Sequence, residues 1–548
     1  MKKTLFFSLL ICSAIVAIYA QTLKFDFVSL DEEDHLANRQ YFLSSVKNIP
    51  EAFQHNTYYP NGTSQYYRPL HTISFMLDAI GDITPSKSHA INIVLHMGAA
   101  LLLFWFMREL GIGKTASFFL ALLFAVHPIG SRIVGWVPGR NDATFAIFAI
   151  ASCIAYLRWV AHPERWWLMA VHLVLFFAAF LSKELGIVLP ILYVLMPRNY
   201  VVSRKHVGLV AGGWILIVIF WWLMRSEALA GTVVTAWNDL LLGLFPNTVA
   251  IPFYLQISSL PLHPSVMPTM QDALHWLPIV VSGAFIAILI VLGKRFQPRS
   301  NLLLFGIAWF LLFLLPSLAG YGSDIRLVLF EHRAYVPLMG LLFIAAAFPW
   351  GRMIPFSRSR RFILAGAVVA VYGVFAFLGT RDFRDALTFW EKAVAQAPDY
   401  AGSHKGLGTV YVNRGRFDDA VNEFQKALEL NPTEKRVHNN LGIIYLNQRR
   451  VQEAEMEFLS ELDVNPGYAI TYNNLGFVYA TQKRFADAEK AWLTALVFDP
   501  WYAAPHQGLA IIYAIANNKE QSLAHIEALV KLGAPLSPDI QKIYESYR

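Results

Sequence analysis

Apolar runs of membrane-spanning length alternate with short polar stretches from the first residue to about Thr380. A helix needs about 20 apolar residues to cross a bilayer core. The pattern therefore predicts about eleven spans, near residues 4–22, 88–107, 115–130, 142–160, 166–182, 185–197, 207–224, 275–293, 301–319, 335–350 and 361–380. The stretch 236–262 is also apolar, but Pro246, Pro252 and Pro261 interrupt it, so we expect a re-entrant or interfacial segment there.

A second pattern, with a period of 34 residues, begins after residue 400. Leucine and a small residue recur at 407–408, 441–442, 475–476 and 509–510. Tyrosines follow at Tyr411, Tyr445, Tyr479 and Tyr513, and prolines recur at Pro398, Pro432, Pro466 and Pro500. Small residues at helix crossings, aromatic ridges and a closing proline at this period indicate tetratricopeptide repeats. We expect repeats over 401–434, 435–468, 469–502 and 503–536, and a capping helix over 537–548.

The repeat register also extends towards the membrane-like half. Ala386, Trp390 and Ala393 match the second helix of a repeat whose first helix is missing. We therefore expect a half repeat over 381–400, fused to the last span without a flexible linker. The predicted fold is all-α, with a polytopic helical membrane domain over 1–380 followed by a tetratricopeptide-repeat α-solenoid.

Composition excludes several classes of protein. A hydrophobic fraction of 56% with only 15% charged residues over 548 residues excludes a soluble globular protein. The net charge of +7 comes largely from helix ends, so we expect no nucleic-acid partner. Cys12 and Cys153 lie in apolar runs, which excludes a disulfide framework. Lys2 and Lys3 before the first run indicate an uncleaved signal anchor, with a cleavable signal peptide as the alternative.

Basic residues indicate the orientation in the membrane. With eleven crossings and a cytoplasmic N-terminus, nearly every basic cluster falls on the cytoplasmic side, as the positive-inside rule expects. These clusters are Arg108 and Lys114; Arg158 and Arg165; Arg198, Arg204 and Lys205; Lys294, Arg295 and Arg299; and Arg352, Arg358, Arg360 and Arg361. The repeats then lie outside the cytoplasm. The Lys-rich start favours a bacterial inner membrane with periplasmic repeats, and an endoplasmic reticulum membrane would give the same topology.

Charged residues from separate loops fall on that same outer face. They include the acidic run Asp31-Glu32-Glu33-Asp34, Arg68, Arg140 with Asp142, Lys183 with Glu184, and Glu331-His332-Arg333. Charges inside apolar stretches are costly unless they face a polar cavity. Cations could neutralise a lipid phosphate, and a carboxylate could accept a proton from an acceptor hydroxyl group. This convergence predicts a site for a lipid-phosphate substrate.

These stretches resemble the transmembrane and tetratricopeptide repeat (TMTC) family of O-mannosyltransferase-like proteins, in the GT-C class of glycosyltransferases. The resemblance covers essentially the whole chain and rests on 27–38, 67–70, 89–96, 124–128, 137–142, 181–184 and 331–337 in order. It implies inverting transfer of a sugar from a polyprenyl-phosphate donor to a hydroxyl acceptor.

The resemblance also implies residue roles. Asp31 is the expected general base, followed by Glu32, where many relatives have a second aspartate. Lys183, Arg333 and Arg140 are expected to bind the donor phosphate, and His332 and Tyr335 to hydrogen-bond phosphate or sugar. No cofactor is expected, although four adjacent acids could hold a divalent cation.

Each of these residues has a simpler structural interpretation. The acidic run could cap a helix and be solvated. Lys183 could pair with Glu184, Arg140 could pair with Asp142, and Arg326 and Arg333 could contact lipid headgroups. His71, His89, His96, His127 and His172 show no metal-ligand spacing, so we expect structural roles for them. Asn61-Gly62-Thr63 is a formal glycosylation sequon with little weight.

Amide side chains recur in the first helices of the repeats. Asn439, Asn440, Asn473, Asn474 and Gln507 lie beside the leucine positions, towards the concave surface that such solenoids present. They could hydrogen-bond the backbone of an extended acceptor peptide, or they could simply be tolerated on a solvated face. The leading hypothesis is thus an enzyme that glycosylates a protein held by its repeats. The alternatives are a non-catalytic membrane scaffold and a transferase with a lipid or glycan acceptor.

Overall fold

Helices form the regular elements of the chain. The computed structural model describes residues 2–30, 32–36, 39–59, 65–197, 203–230, 244, 247–261, 265–318, 329–353 and 357–547. The chain divides into two compact units. The first contains residues 1–28, 65–71 and 84–397, and the second contains 29–64, 72–83 and 398–548. The part of the first loop that carries the acidic run therefore belongs to the same unit as the repeats.

The longer helices of the first unit begin at residues that suit helix starts. Thr84, Ser203 and Ser357 each precede a helix and accept a hydrogen bond from a backbone N–H of its first turn. The α-helices of this unit are Lys2–Tyr19, Pro85–Glu109, Lys114–Ala125, Ile129–Gly135, Arg140–Ala161, Trp166–Ser182, Leu189–Leu195, Arg204–Ala228, Ile251–Ser259, Met270–Leu274, Trp276–Phe296, Ser300–Leu318, Tyr335–Ala347, Trp350–Met353, Arg358–Thr380 and Ala386–Gln396. Pro69–Asp78 lies between two stretches of the first loop.

Six of the described helices are long and apolar enough to cross a membrane, or seven if the bent pair Lys114–Ala125 and Ile129–Gly135 is one span. The chain is thus a membrane protein, but the predicted number of about eleven spans is not reached. The other four predicted spans are the shorter apolar segments Trp166–Ser182, Glu184–Leu195 and Ser300–Pro316 and the 13-residue helix Tyr335–Ala347. The hydropathy pattern reflects the apolar composition of these four segments, but it does not show where their helices end. The described part of 236–262 contains the nine-residue helix Ile251–Ser259.

Tyr335–Ala347 is buried along nearly its whole length, and it packs directly on Ser300–Leu318. Gly306 and Gly340 allow this close approach, because a Cβ added at Gly340 would lie 2.6 Å from the Gly306 carbonyl oxygen. Backbone atoms cannot move aside as a flexible side chain can. Small residues at such crossings are typical of helices packed in membranes.

The half-repeat helix Ala386–Gln396 belongs to the first unit. Asp385 caps it by accepting a hydrogen bond from the Thr388 N–H at 2.9 Å. The indole of Trp390 donates to the Val28 carbonyl oxygen at 3.0 Å, and the Asp26 N–H donates to the Arg384 carbonyl oxygen at 2.9 Å. The helix is therefore held against the chain that leaves the first membrane helix.

The second unit contains the solenoid. Its helix pairs are Ala401–Asn413 with Phe417–Leu430, Val437–Asn447 with Val451–Val464, Ala469–Thr481 with Phe485–Phe498, and Ala503–Ile515 with Lys519–Leu532, followed by Pro538–Tyr547. In each of the first three pairs a glycine of the first helix receives an aromatic ring of the second, Phe424, Phe458 or Trp492. An arginine also covers the ridge tyrosine in each, as Arg450 does over Tyr445 at 4.3 Å. These contacts repeat every 34 residues and explain the sequence period.

Candidate active site and substrate-binding residues

Glu32 is the residue of the acidic run whose side chain the structure describes, and it is buried. Glu32 begins the four-residue helix Glu32–His35, and its side chain is 3% exposed. One carboxylate oxygen of Glu32 accepts a hydrogen bond from the Leu30 N–H at 2.9 Å. His35, at the end of this helix, packs on Tyr58 and Phe75. Asp31, the expected general base, is outside the described residues, so its role stays a prediction.

Lys183 follows the helix Trp166–Ser182 and pairs with a carboxylate from another helix. Its Nζ lies 2.7 Å from Oδ1 of Asp142, and these side chains are 10% and 1% exposed. Glu184, the next residue, instead binds Arg68, whose guanidinium donates to one Glu184 oxygen at 2.8 and 2.9 Å. The alternative in which Lys183 pairs with Glu184 is therefore wrong. The extended backbone at Lys183 sends the two neighbouring side chains to different partners.

The electrostatics show which cations lie together. Burial lowers the pKa of Lys183, Asp142 opposes this effect, and the charges of Arg68 and Arg333 add to it. The pKa of His332 is lowered well below its usual value by burial and by Lys183, Arg333 and Arg68. The structure thus brings Lys183, Arg333 and His332 together, as expected from the sequence, and adds Arg68. We call these four residues the cation cluster.

Two of the cations in the cation cluster have carboxylate partners. Asp142 pairs with Lys183, and Glu184 pairs with Arg68. Arg68 and Asp142 were recognisable from the sequence as outer-face charges, but neither was expected to bind the donor phosphate. Cationic side chains grouped in this way suit an anionic group such as a phosphate.

Arg140 and Tyr335 make their observed hydrogen bonds within the helix packing. Arg140 is fully buried, and its guanidinium donates to the Asn92 side chain at 2.9 Å and to the Ser88 carbonyl oxygen at 3.1 Å. The Tyr335 hydroxyl lies 2.8 Å from Nδ1 of His96, whose Nε2 contacts the Ala125 carbonyl oxygen. These contacts join helices, so they favour structural roles. Binding of the donor by Arg140 and Tyr335 stays a prediction.

A second buried network was missed at the sequence level. The Nε of Arg132 donates to Glu331 at 2.9 Å, and the other Glu331 oxygen accepts from the Ser265 N–H at 3.0 Å. Arg132 also lies 3.9 Å from Asp382, which pairs with Lys392 at 2.6 Å. The only sequence signal was a lone arginine in the apolar stretch 129–137. The network ties the half-repeat helix to the membrane helices of the first unit.

Several of the amide side chains expected on the concave surface form hydrogen bonds between repeats. The Asn440 side chain donates to Thr409 at 3.0 Å, and Asn439 accepts from both Thr471 and Asn474 at 3.0 Å. Asn473 is 3% exposed, and the Gln507 amide reaches the Pro535 carbonyl oxygen at 3.5 Å. The bonds of Asn439 and Asn440 connect successive first helices and help to stack the repeats. Their role in binding an acceptor stays a prediction.

Within the described residues, no group of three or more histidine, cysteine, aspartate or glutamate side chains is arranged to hold a metal ion. The acidic run is described only in part. The possible divalent cation there therefore stays untested.

Comparison with known proteins agrees with this organisation. Models of the tetratricopeptide repeat match residues 405–469 and 469–497. Solved structures with similar repeats include pilF of Pseudomonas aeruginosa (20% identity, TM-score 0.26, covering 29% of this chain and 78% of that one). Another is YrrB, described as a TPR protein with an unusual peptide-binding site (21% identity, TM-score 0.24, covering 29% and 81%).

Curated relatives carry a common name. The human protein O-mannosyl-transferase TMTC4 is 29% identical over 205 residues, or 33% of this chain and 27% of the relative. Mouse TMTC2 is 30% identical over 160 residues, covering 27% and 18%, and Drosophila melanogaster Tmtc1 is 29% identical over 182 residues, covering 32% and 21%. The chain thus spans about a fifth to a quarter of the length of these relatives. The matching models confirm the tetratricopeptide repeats, and over about a third of its length the chain is similar to the TMTC proteins.

Proposed function

We propose that the chain is a membrane glycosyltransferase that moves a mannosyl group from a polyprenyl-phosphate donor to a hydroxyl group of a protein. The observation that carries this proposal is the cation cluster, in which buried Lys183 and partly buried Arg68 lie near Arg333 and His332. Charged side chains buried in a membrane protein are costly and are usually functional. The relatives' name, protein O-mannosyl-transferase, supports mannose as the sugar and a protein as the acceptor.

The cation cluster would act on the leaving group. In the reaction, the acceptor oxygen forms a bond to the anomeric carbon while the bond from that carbon to the phosphate oxygen breaks, with inversion. The departing polyprenyl phosphate gains negative charge, which Lys183, Arg68 and Arg333 would stabilise. His332, neutral because of its surroundings, can donate a hydrogen bond without adding charge.

The acceptor hydroxyl must lose its proton as the new bond forms. Asp31 would accept this proton, with Glu32 as the second candidate, as the family resemblance implies. The repeats would hold the acceptor, since a solenoid offers a long concave surface to an extended chain. No metal ion or further cofactor enters this reaction scheme.

The experiment that tests this proposal is transfer of labelled mannose from polyprenyl-phosphate mannose in membranes. Replacing Lys183 by Met should lower transfer at least about 100-fold, as loss of one preorganised charge stabiliser typically does. Lys294→Met, at an exposed lysine near the end of a membrane helix, is the matched control and should retain activity. Asp31→Asn should also abolish transfer.

Two outcomes would favour the alternatives. Transfer to lipid or glycan but not to protein would indicate a different acceptor. Failure of the wild type with every polyprenyl-phosphate sugar would leave the membrane scaffold as the better hypothesis.

We further propose that the N-terminus is cytoplasmic and that the repeats lie in the periplasm of a bacterial inner membrane. The distribution of Lys and Arg supports this orientation. Seven spans, like eleven, leave the two ends on opposite sides, whereas six would not. A membrane-impermeant maleimide should label cysteine introduced at exposed Lys519 in intact spheroplasts, and cysteine at exposed Ser359 only after lysis. Labelling of both sites before lysis would rule out this topology.

A further inference from the structure

The first loop packs through aromatic side chains on the connection between the third and the last repeat. The ring of Phe42 lies 5.6 Å from that of Tyr59 and 5.8 Å from that of Trp501, both edge to face. The indole N–H of Trp501 donates to the Tyr59 hydroxyl oxygen at 3.0 Å. We call Phe42, Tyr59 and Trp501 the loop–repeat cluster. Phe42 is 1% exposed, so the contact excludes water from its ring.

A neighbouring contact extends this interface. Tyr41 packs against the apolar core of the last repeat and the capping helix, formed by Ala503, Ala510, Ile526, Leu529, Ala534 and Ile540. On the loop side, His55 stacks on Tyr59 with ring centres 3.7 Å apart, and it pairs with Glu51 at 3.1 Å. Both the loop and the last repeat therefore contribute packed side chains to this interface.

The loop has little structure of its own to rely on. Its helices Gln40–Leu43, Val46–Asn48 and Ile49–Ala52 contain four residues or fewer each. Isolated helices of this length are not stable in water, because so few hydrogen bonds do not offset the free-energy cost of nucleating the helix. The conformation of the loop therefore depends on what it packs against, which includes Trp501 and the core of the last repeat.

The same loop carries the acidic helix. His35, at the end of Glu32–His35, packs on Tyr58 with ring centres 4.9 Å apart, and Tyr58 directly precedes Tyr59 of the loop–repeat cluster. A short line of contacts thus runs from Trp501, between the third and the last repeat, to the helix that begins with Glu32.

We propose that the connection between the third and the last repeat positions the acid-bearing helix of the first loop, with Trp501, Tyr59 and Phe42 as positioning residues. The repeats would then have a second role besides binding an acceptor. They would hold the conformation of the loop that carries the carboxylates. The effect of this positioning on transfer rests on the proposed function, whereas its effect on the loop does not.

The first test is hydrogen exchange of the full-length protein in detergent. Trp501→Ala should speed exchange of amides in 40–59 at least about tenfold, while amides of 401–468 keep their rates. Trp501→Phe retains an aromatic ring and should stay close to the wild type. Phe485→Ala, at an exposed aromatic residue of the third repeat, is the matched control. Unchanged exchange in 40–59 for Trp501→Ala would overturn the proposal.

The second test separates positioning from general damage. In the transfer assay, Trp501→Ala should lower kcat about tenfold with the KM for the donor unchanged, and Trp501→Phe should restore most of the rate. An altered loop with full transfer would refute positioning for catalysis. A wild type without transfer would refute the proposed function, and the exchange result would still decide whether the repeat holds the loop.

Discussion

The two units of the chain use charge in opposite ways. In the membrane unit, Lys183 with Asp142 and Arg132 with Glu331 are ion pairs whose side chains are at most 10% exposed. In the repeats, pairs such as Arg416 with Asp419 are about half exposed and recur every 34 residues. Exposed pairs contribute little to stability, whereas each buried charge requires its partner. Charged residues therefore form regularly spaced pairs on the surface of the repeats and individual buried pairs in the membrane unit.

Breaking a buried pair should have the largest effect. Arg132→Met leaves Glu331 buried without its cation, and loss of one partner typically costs about 3–5 kcal/mol. We expect a large fall in the thermal unfolding midpoint of the full-length protein in detergent. The double variant Arg132→Met/Glu331→Met should recover much of the loss, because no unpaired charge remains. A double variant less stable than either single variant would contradict this explanation.

The repeats contain a buried carboxyl group that should give the next largest effect. Burial raises the pKa of Asp499 to about 6, and the side chain is 4% exposed. The folded protein then binds more protons than the unfolded chain between about pH 4 and 6. Its contribution to stability is therefore highest at low pH and falls, by at most about 3 kcal/mol, as pH rises through this window.

Hydrogen exchange of the third and last repeats between pH 4 and 7, corrected for the intrinsic rate, measures this contribution, and Asp499→Asn should remove it. His506 works in the opposite direction, because burial and His525 lower its pKa to about 4. Its stabilising contribution is lost as pH falls below the value of an unfolded histidine. Comparing wild type with Asp499→Asn cancels the histidine effect, and parallel profiles for the two proteins would refute the role of Asp499.

Close backbone packing in the membrane unit should give a smaller but clear effect. In Gly340→Ala the new methyl group meets the Gly306 carbonyl oxygen and the Phe310 backbone nitrogen, both at 2.6 Å. Overpacking of this kind costs about 1–3 kcal/mol. Gly283→Ala is the matched control in another membrane helix, since nothing lies within 4 Å of its new methyl group. Equal unfolding midpoints for the two variants would show that the helices can separate without cost.

The smallest effect is expected at the exposed pairs of the repeats. Arg416→Gln removes the contact with Asp419, whose side chain is 48% exposed, as is that of Arg416. We expect no measurable shift of the unfolding midpoint, because water solvates both groups when they separate. A shift comparable to that of Arg132→Met would remove the contrast between the two units.

The sequence predicted the repeats well because their signals are local. The spacing of Gly442 from Phe458, or of Tyr445 from Arg450, is set within one helix pair and repeats along the chain. It predicted the members of the cation cluster only in part. Lys183 and Glu184 are neighbours, and only the backbone turn between two helices decides that one meets Asp142 and the other Arg68.

Two other features of the structure could not be predicted from sequence patterns. The contact of Phe42 with Trp501 joins residues more than 450 positions apart, and neither lies in a recognisable motif. Some predicted spans are longer than the helices observed there, because a hydropathy window continues across Lys183 and does not register that Tyr335–Ala347 has only 13 residues.

The contact between Tyr59 and Trp501 limits how this solenoid can evolve. Repeat arrays usually lengthen or shorten by duplicating or losing whole units, because each unit touches only its neighbours. Here a loop from near the start of the chain packs on Trp501, between the third and the last unit. A duplicated unit inserted before Trp501 would carry that tryptophan away from the loop. The loop therefore constrains the number of units that precede Trp501, and a lineage could change that number only by remodelling the loop as well.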